Sequence, residues 1–226
     1  AIAFGVPGAF MALATLTFWA GRKQFVHIPP AGKSYMQDIT GPEGKRMVKR
    51  LLLIYVLVAA FWSLFDQMGS TWVLQAQNMD RIVFGYELLP AQILAANPFL
   101  IIVLIPLFTY VVYPLMNRLF VVSASRKMCM GMFLASTPFL VTGWAEFQIQ
   151  NGATPHIGWQ LFAYLLLSVA EVMLVITVLE FSYTQAPKRM KSLVMSFFYL
   201  SISAGNLFTA AVNQIIQNPD GSSKLE

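Results

Sequence analysis

Long apolar stretches alternate along the chain with short segments that carry most of its charges. Each stretch is about as long as a helix needs to cross the hydrocarbon core of a bilayer. Strands of a membrane barrel would alternate apolar and polar residues, whereas these stretches are continuously apolar. The pattern therefore predicts an all-α membrane protein with six transmembrane helices. These first to sixth spans cover residues 1–20, 51–77, 97–116, 128–147, 160–183 and 192–216.

Lysine and arginine are concentrated in every second connection between the spans. Three connections hold seven, three and three of these residues: 21–50, 117–127 and 184–191. The other three hold one, none and one: 78–96, 148–159 and the tail 217–226. Because cationic connections remain in the cytoplasm, the first group is predicted to be cytoplasmic. Both ends of the chain, including the tail, are then expected on the extracytoplasmic side.

The composition agrees with membrane insertion. Hydrophobic residues make up 57% of the 226 residues and charged residues 11%, compared with about a quarter charged in soluble domains. This balance argues against a water-soluble fold. The net charge of +5 indicates orientation in the membrane. We therefore expect the lipid bilayer as a partner and expect no binding to nucleic acid. The single cysteine, Cys129, excludes a disulfide framework or a cysteine-built metal site.

The chain divides at a charged linker. Residues 21–50 have turn-forming prolines and glycines but no apolar run, so they separate the first span, 1–20, from a block of five spans over 51–216. The chain starts with Ala1 and enters an apolar stretch at once, without a basic start typical of a signal segment. We therefore expect the sequence to be a fragment of a longer protein.

Proline recurs within the third span. Each ring at Pro98, Pro106 and Pro114 removes a backbone donor, which predicts a kink or a break. Asn97 directly precedes the first of them, and an amide beside a helix break at membrane depth is typical of a cavity wall. The alternative is an amide that satisfies the carbonyls freed by the proline.

Two carboxylates lie where the chain should be apolar. Asp66 is near the middle of the second span and Glu171 near the middle of the fifth, whereas the spans contain no lysine or arginine. Such a carboxylate must be protonated, face water or meet a cation from elsewhere, and intramembrane acids are usually functional. A permanently neutral acid that bonds a neighbouring helix is the alternative. Glu146 and Glu180 lie near span ends, where interfacial water explains them.

Helical spacing groups other polar residues into faces. Trp62 shares a face with Asp66 in the second span. One stripe of the fifth span contains Tyr164, Ser168, Glu171, Val175, Val178 and Ser182. A polar seam of the sixth span, beside Phe198, contains Ser192, Ser196, Tyr199, Ser203, Asn206, Ala210 and Asn213. The seam fits either close helix packing or the lining of a cavity.

Catalytic patterns are absent from the sequence. It has no H-E-x-x-H or G-x-S-x-G motif, and the run from Gly41 to Lys45 lacks the spacing of a phosphate loop. His27 and His156 fall in connections on opposite sides of the membrane and cannot share a metal. We therefore predict no enzyme, no metal and no cofactor, and favour a membrane carrier with an acidic, aromatic-lined interior.

Six segments of the chain form a recognisable set of motifs: FWSLFDQMGSTWVLQA at 61–76, NPFLIIVLIPLF at 97–108 and LEFSYTQAP at 179–187, with FGVPG at 4–8, GRKQFV at 21–26 and AGN at 204–206. Together they resemble the proton-coupled oligopeptide transporter family of the major facilitator superfamily. The resemblance implies that the six spans are the sixth to eleventh helices of a twelve-helix carrier. The N-terminal half of that transporter is then missing, apart from its sixth helix.

The resemblance also assigns roles to residues. It implies that Glu171 and Asn97 contact the amino end of a peptide, and that Trp62 and Asp66 lie near the cavity and its outer gate. Asp66 and Glu171 are then the candidates for proton coupling or gating, with Glu171, Asn97, Trp62 and Phe198 as the substrate-binding set. The chain has Val175 where many members have serine, and Phe198 where they often have tryptophan.

The predicted function is proton-driven symport of di- and tripeptides across the cytoplasmic membrane by alternating access, with the proton gradient as the driving force. Small peptides and protons are the expected partners. One alternative is nitrate or another small solute carried on the same fold. The other is a non-transporting membrane assembly subunit whose seam binds a partner helix.

Overall fold

The computed structural model describes residues 2–26, 32, 37, 39–187 and 190–216. The predicted tail 217–226 and ten residues of the predicted linker, 27–31, 33–36 and 38, lie outside the described residues. The chain divides into two units, 1–37 and 38–226. The first unit contains helix α1, Ile2–Gly21, whose end is followed by Arg22 with its guanidinium 4.0 Å from the centroid of the Trp19 ring.

The second unit is a bundle of long helices. The second span consists of α2 (Pro42–Phe65), a 3₁₀ turn (Asp66–Gly69) and α3 (Thr71–Gln77). The third consists of α4 (Pro90–Ile93), α5 (Ala96–Leu107), a π-helical segment (Phe108–Val112) and α6 (Tyr113–Leu119). The fourth is α7, Ala124–Gln150. The fifth consists of α8 (Gly158–Glu171), a second π segment (Val172–Ile176) and α9 (Thr177–Gln185), and the sixth is α10, Lys191–Ile216.

Five helical stretches of the described chain are long and apolar enough to cross a membrane: Pro42–Gln77, Pro90–Leu119, Ala124–Gln150, Gly158–Gln185 and Lys191–Ile215. The first predicted span contains a shorter apolar helix over Gly5–Gly21. The third, fourth and fifth spans extend beyond the predicted apolar limits at both ends, because charged and polar residues continue these helices. The second and sixth spans start earlier than predicted but end at or within one residue of the predicted limit.

The largest difference is at the start of the second span, which begins at Pro42 and not at residue 51. The helix has proline in its first turn and Glu43 beside its N-terminus, both favourable there. Gly44, Met47 and Leu51 are buried at helical spacing, so the charged residues between them lie on the outer face of a packed helix. Residues 42–50 of the predicted linker are thus helical.

The fifth span is the most enclosed of the five membrane-length stretches in the described chain. Its α8 packs along α7 and also contacts α5. The sixth span packs on the second, where the hydroxyl of Tyr55 donates to the carbonyl of Val194 at 3.1 Å. Gly205 permits this close approach, because a Cβ there would collide with the carbonyl oxygen of Ala59. The bundle core is therefore built around the fifth span and the pair of the second and sixth.

A short hairpin connects the second and third spans. Strand β1, Ile82–Val83, pairs antiparallel with β2, Tyr86–Glu87. The connection between the fourth and fifth spans lies against it, since the Nε2 atom of His156 is 3.1 Å from the carbonyl oxygen of Ile82. The Nδ1 atom of the same ring accepts from the backbone N–H of Gly158 at 3.0 Å, which fixes the start of α8.

Candidate functional site

Three polar side chains from the third and fifth spans meet inside the bundle. The Asn97 amide nitrogen donates to the hydroxyl oxygen of Ser168 and to a carboxylate oxygen of Glu171, each at 3.0 Å. Asn97 is 9% exposed and Ser168 is fully buried. Asn97 and Glu171 were both predicted as site residues, and the structure brings them into direct contact. We call Asn97, Ser168 and Glu171 the amide–carboxylate cluster.

Local backbone structure positions each member of this cluster. The chain turns between α4 and α5, so Asn97 is the second residue of a new helix and Pro98 lies in its first turn, where the missing donor costs nothing. Glu171 is the last residue of α8, directly before the π segment Val172–Ile176. Such π turns occur frequently at functional sites. Ser168 precedes Glu171 by three residues and therefore shares its face.

The Glu171 carboxylate has no cationic partner among the described residues. The ion pair within that part of the chain joins Arg81 to Glu87 in the outer hairpin. Hydrogen bonding from a neutral amide compensates only in part for taking a carboxylate out of water. The cluster can therefore accept an ammonium group or a proton at Glu171.

Pro106 and Pro114 distort the third span without interrupting it, whereas Pro98 directly follows the turn between α4 and α5. Pro106 lies inside α5, and the wider π turn Phe108–Val112 follows two residues later. Pro114 lies in the first turn of α6. The π segments of the third and fifth spans pack together, because Phe108 lies in one buried cluster with Val172 and Met173. The kink predicted from proline thus takes the form of a π segment.

Trp62 and Asp66 lie at a break in the second span. Helix α2 ends at Phe65, and Asp66 begins the 3₁₀ turn. The indole nitrogen of Trp62 is buried without a hydrogen-bond partner. In the described chain, no hydrogen bond or ion pair joins either side chain to the amide–carboxylate cluster. Their roles in gating or proton coupling therefore stay predictions.

The fifth span holds this break in place. The Gln160 amide donates to the carbonyl oxygen of Trp72 at 2.7 Å, and the Tyr164 hydroxyl donates to that of Met68 at 3.1 Å. Both donors are at most 1% exposed. Met68 lies in the 3₁₀ turn, where a carbonyl freed by a helix break in an apolar environment needs such a partner, and Trp72 lies in the first turn of the helix that follows. The break is thus a supported feature of the bundle.

Phe198 and the polar seam lie on different faces of the sixth span. Phe198 is 4% exposed and belongs to the main buried core. The seven seam residues are all exposed in the second unit, so the seam does not pack against the other described spans. The prediction that Phe198 binds substrate stays a prediction. Val175 is 7% exposed and lies in the core.

Two polar residues of the structure were missed as candidates. The sequence pattern puts Ser168 on the stripe but not in the predicted site, because serine in a membrane helix is usually a packing residue. The position of Glu146 near a span end predicts an interfacial residue. The Gln75 amide donates to the Glu146 carboxylate at 2.8 Å and to the carbonyl of Thr142 at 2.9 Å. Gln75 and Glu146 are both polar residues near the ends of apolar spans, and this was the sequence signal that could have indicated their contact.

These features define a class of protein: a multi-pass integral membrane protein with a polar, acidic cluster inside its helix bundle. Residues 33–225 match the family model described as PTR2: POT family. The chain belongs to the POT family, so the predicted family and the all-α membrane fold are confirmed.

Named relatives agree with this assignment. The chain is 32% identical over 213 residues to solute carrier family 15 member 2 of Mus musculus, covering 79% of the chain and 29% of that protein. It is 30% identical over 184 residues to peptide transporter family 1 of Drosophila melanogaster, covering 67% and 25%. The chain thus spans under a third of the length of these relatives. They are transporters, which confirms the prediction that the chain is not an enzyme.

Solved structures give the same fold. The crystal structure of an auto-inhibited POT family peptide transporter superposes with a TM-score of 0.81 at 30% identity, covering 96% of this chain and 57% of that one. A peptide transporter POT in complex with alafosfalin matches with a TM-score of 0.66 at 24% identity, covering 79% and 36%. The second likeness establishes the fold alone.

Proposed function

We propose that this chain is part of a longer transporter that carries di- and tripeptides together with protons across the cytoplasmic membrane. The missing N-terminal helices would complete the cavity, and the two halves would rock to give alternating access. The observation that carries the proposal is the amide–carboxylate cluster, a membrane carboxylate with one amide donor and no cation among the described residues. The relatives named as peptide transporters support the substrate class.

The cluster suggests how proton and peptide binding are linked. Low-polarity surroundings favour a neutral carboxyl group, whereas a nearby cation favours the ionised form. A peptide ammonium arriving at Glu171 would therefore displace a proton from it. Asn97 would hold the carboxylate in a fixed orientation through its hydrogen bond at 3.0 Å. Glu171 then serves as both the ligand of the amino end and the proton carrier, and Asp66 is a second candidate for the proton.

Uptake of labelled dialanine into liposomes tests this function. The complete transporter is reconstituted and assayed with and without an inward proton gradient, as wild type and as Glu171→Gln. We expect gradient-driven accumulation in the wild type and its loss in the variant, since glutamine keeps the side-chain shape but cannot exchange a proton.

The matched control is Glu43→Gln, which neutralises an exposed carboxylate at the start of the second span. It should accumulate dialanine like the wild type. Undiminished gradient-driven uptake by a folded Glu171→Gln protein would refute the proposed role of Glu171. Absence of uptake by the folded wild type would refute peptide symport.

Two other functions remain as alternatives. If the transporter carries nitrate or another small solute on the same fold, excess dialanine should not inhibit uptake of that solute. A non-transporting assembly subunit is favoured by one observation, the exposed seam with Ser196, Tyr199, Ser203 and Asn206. A stoichiometric partner that co-purifies through these residues, together with no uptake, would support that role.

A further inference from the structure

A polar cavity lies between the third, fourth and fifth spans, apart from the amide–carboxylate cluster. Its volume is about 350 Å³, which falls within the range of small-molecule sites, about 300–1,000 Å³. Lys127 of the fourth span and Glu180 of the fifth both line it. Under the orientation predicted from the cationic connections, it opens toward the cytoplasmic side.

The two π segments form part of the cavity wall. Thr109 comes from the π turn of the third span, whereas Val172 and Ile176 come from that of the fifth. A π turn widens a helix locally and is frequent at functional sites. Val172, which lines the cavity, is the residue directly after Glu171 in the sequence. Two distorted turns from neighbouring helices thus border one polar space.

Lys127 is held at this cavity by an aromatic ring. Its ammonium nitrogen lies 3.9 Å from the centroid of the Tyr113 ring, a favourable cation–π distance. The Tyr113 hydroxyl is buried near the polar side chains of Thr177 and Glu180, and it makes no hydrogen bond of normal geometry. Such an orphan group is costly unless a ligand or water satisfies it.

The opposite charge in the cavity is also left without an ionic partner. Glu180 is an exposed residue near the end of its span, and its carboxylate forms no ion pair with Lys127 or with any other cation of the described residues. The cavity therefore offers a cation, an anion and an unsatisfied hydroxyl to whatever occupies it. Complementary charges on a ligand would neutralise both ends at once.

We propose that this cavity binds a zwitterion, with the ligand ammonium at Glu180 and its anionic group at Lys127 and the Tyr113 hydroxyl. Two sources have this chemistry. One is a short peptide, and that case rests on the proposed transport function. The other is a phospholipid with an ammonium headgroup, such as phosphatidylethanolamine, and that case is independent of transport.

Binding measurements on the purified complete transporter test the proposal. Labelled dialanine is compared with N-acetyl-dialanine, which lacks the ammonium, in a Glu171→Gln background that disables the first site. Phosphatidylethanolamine is compared with phosphatidylglycerol by native mass spectrometry. We expect one zwitterion to bind about tenfold more tightly than its partner without the ammonium, and Lys127→Gln or Glu180→Gln to weaken it about tenfold.

The matched control is Arg118→Gln, which removes a neighbouring cytoplasmic-side charge that does not line the cavity. It should bind like the parent. Lys127→Arg keeps the cation and should retain binding, so it separates loss of charge from misfolding, as does the melting temperature of each variant.

The outcomes distinguish a short peptide from a phospholipid as the zwitterion that binds in the cavity. Selective binding of dialanine identifies a second peptide site, and selective binding of phosphatidylethanolamine identifies a lipid site even if dialanine uptake fails. Zwitterion binding that is absent, or that is unchanged by both Lys127→Gln and Glu180→Gln, would overturn the proposal.

Discussion

Asn97 is the residue that joins the two spans of the candidate site. Its single amide nitrogen serves both Ser168 and Glu171, so its removal would leave two acceptors unsatisfied and the carboxylate free to rotate. Hydrogen bonds to charged groups contribute more than neutral ones, about 1.5–3 kcal/mol each. Asn97 is therefore expected to matter for affinity more than its neutral side chain suggests.

For Asn97→Ala we predict that the KM for gradient-driven dialanine uptake rises about tenfold, because a misoriented Glu171 binds the peptide ammonium less well. The concentration dependence of uptake into liposomes measures this change. Asn78→Ala, at an exposed asparagine beyond the end of α3, is the control and should keep the wild-type KM. An unchanged KM in folded Asn97→Ala would remove Asn97 from the binding site.

The sequence predicted the members of this cluster unequally, for physical reasons. Glu171 and Asn97 are detectable because a carboxylate or amide in an apolar span is costly unless it is used. Ser168 is not, since a hydroxyl can bond its own helix and is common in packed membrane helices. The burial of Phe198 depends on how the sixth span is rotated against the second, which the local sequence does not determine.

Helix interruptions were also predicted unequally from the sequence. Proline predicted a distortion in the third span, and π segment Phe108–Val112 follows Pro106 there. The 3₁₀ break Asp66–Gly69 contains no proline and was not predicted. It depends on donors from Gln160 and Tyr164, nearly one hundred residues away along the chain, so only the tertiary structure reveals it.

The pairing of the second and sixth spans gives a prediction at this scale. A Cβ at Gly205 would meet the carbonyl of Ala59 and lie 3.0 Å from the backbone nitrogen of Ser63. Gly205→Ala should therefore push the helices apart and destabilise the protein by about 1–3 kcal/mol. The melting temperature of the purified transporter measures the loss.

The control for this prediction is Gly143→Ala in the fourth span, where a Cβ would have no neighbour within 4 Å. Alanine is the better helix former, so this change should be neutral or slightly stabilising. Equal melting temperatures for the two variants would mean that the close approach at Gly205 does not limit stability.

Orientation in the membrane is a property of the whole molecule that the cationic connections predict. Arg118 lies in a connection counted as cytoplasmic, whereas Tyr86 lies in the hairpin counted as extracytoplasmic and is 77% exposed. This sequence has one cysteine, Cys129, so Cys129→Ser, together with replacement of any cysteine in the rest of the complete transporter, provides a background without reactive thiols for site-specific labelling.

In that background, we predict that Tyr86→Cys reacts with a membrane-impermeant maleimide added to intact cells. Arg118→Cys should react only after the membrane is permeabilised. The reason is electrostatic, because cationic connections are retained in the cytoplasm while the hairpin, with one arginine paired to Glu87, carries little net charge. The reverse labelling pattern would mean that the protein has the opposite orientation in the membrane, with the cavity of Lys127 and Glu180 on the outer side. It would leave the amide–carboxylate cluster intact, since that cluster depends on helix packing and not on orientation.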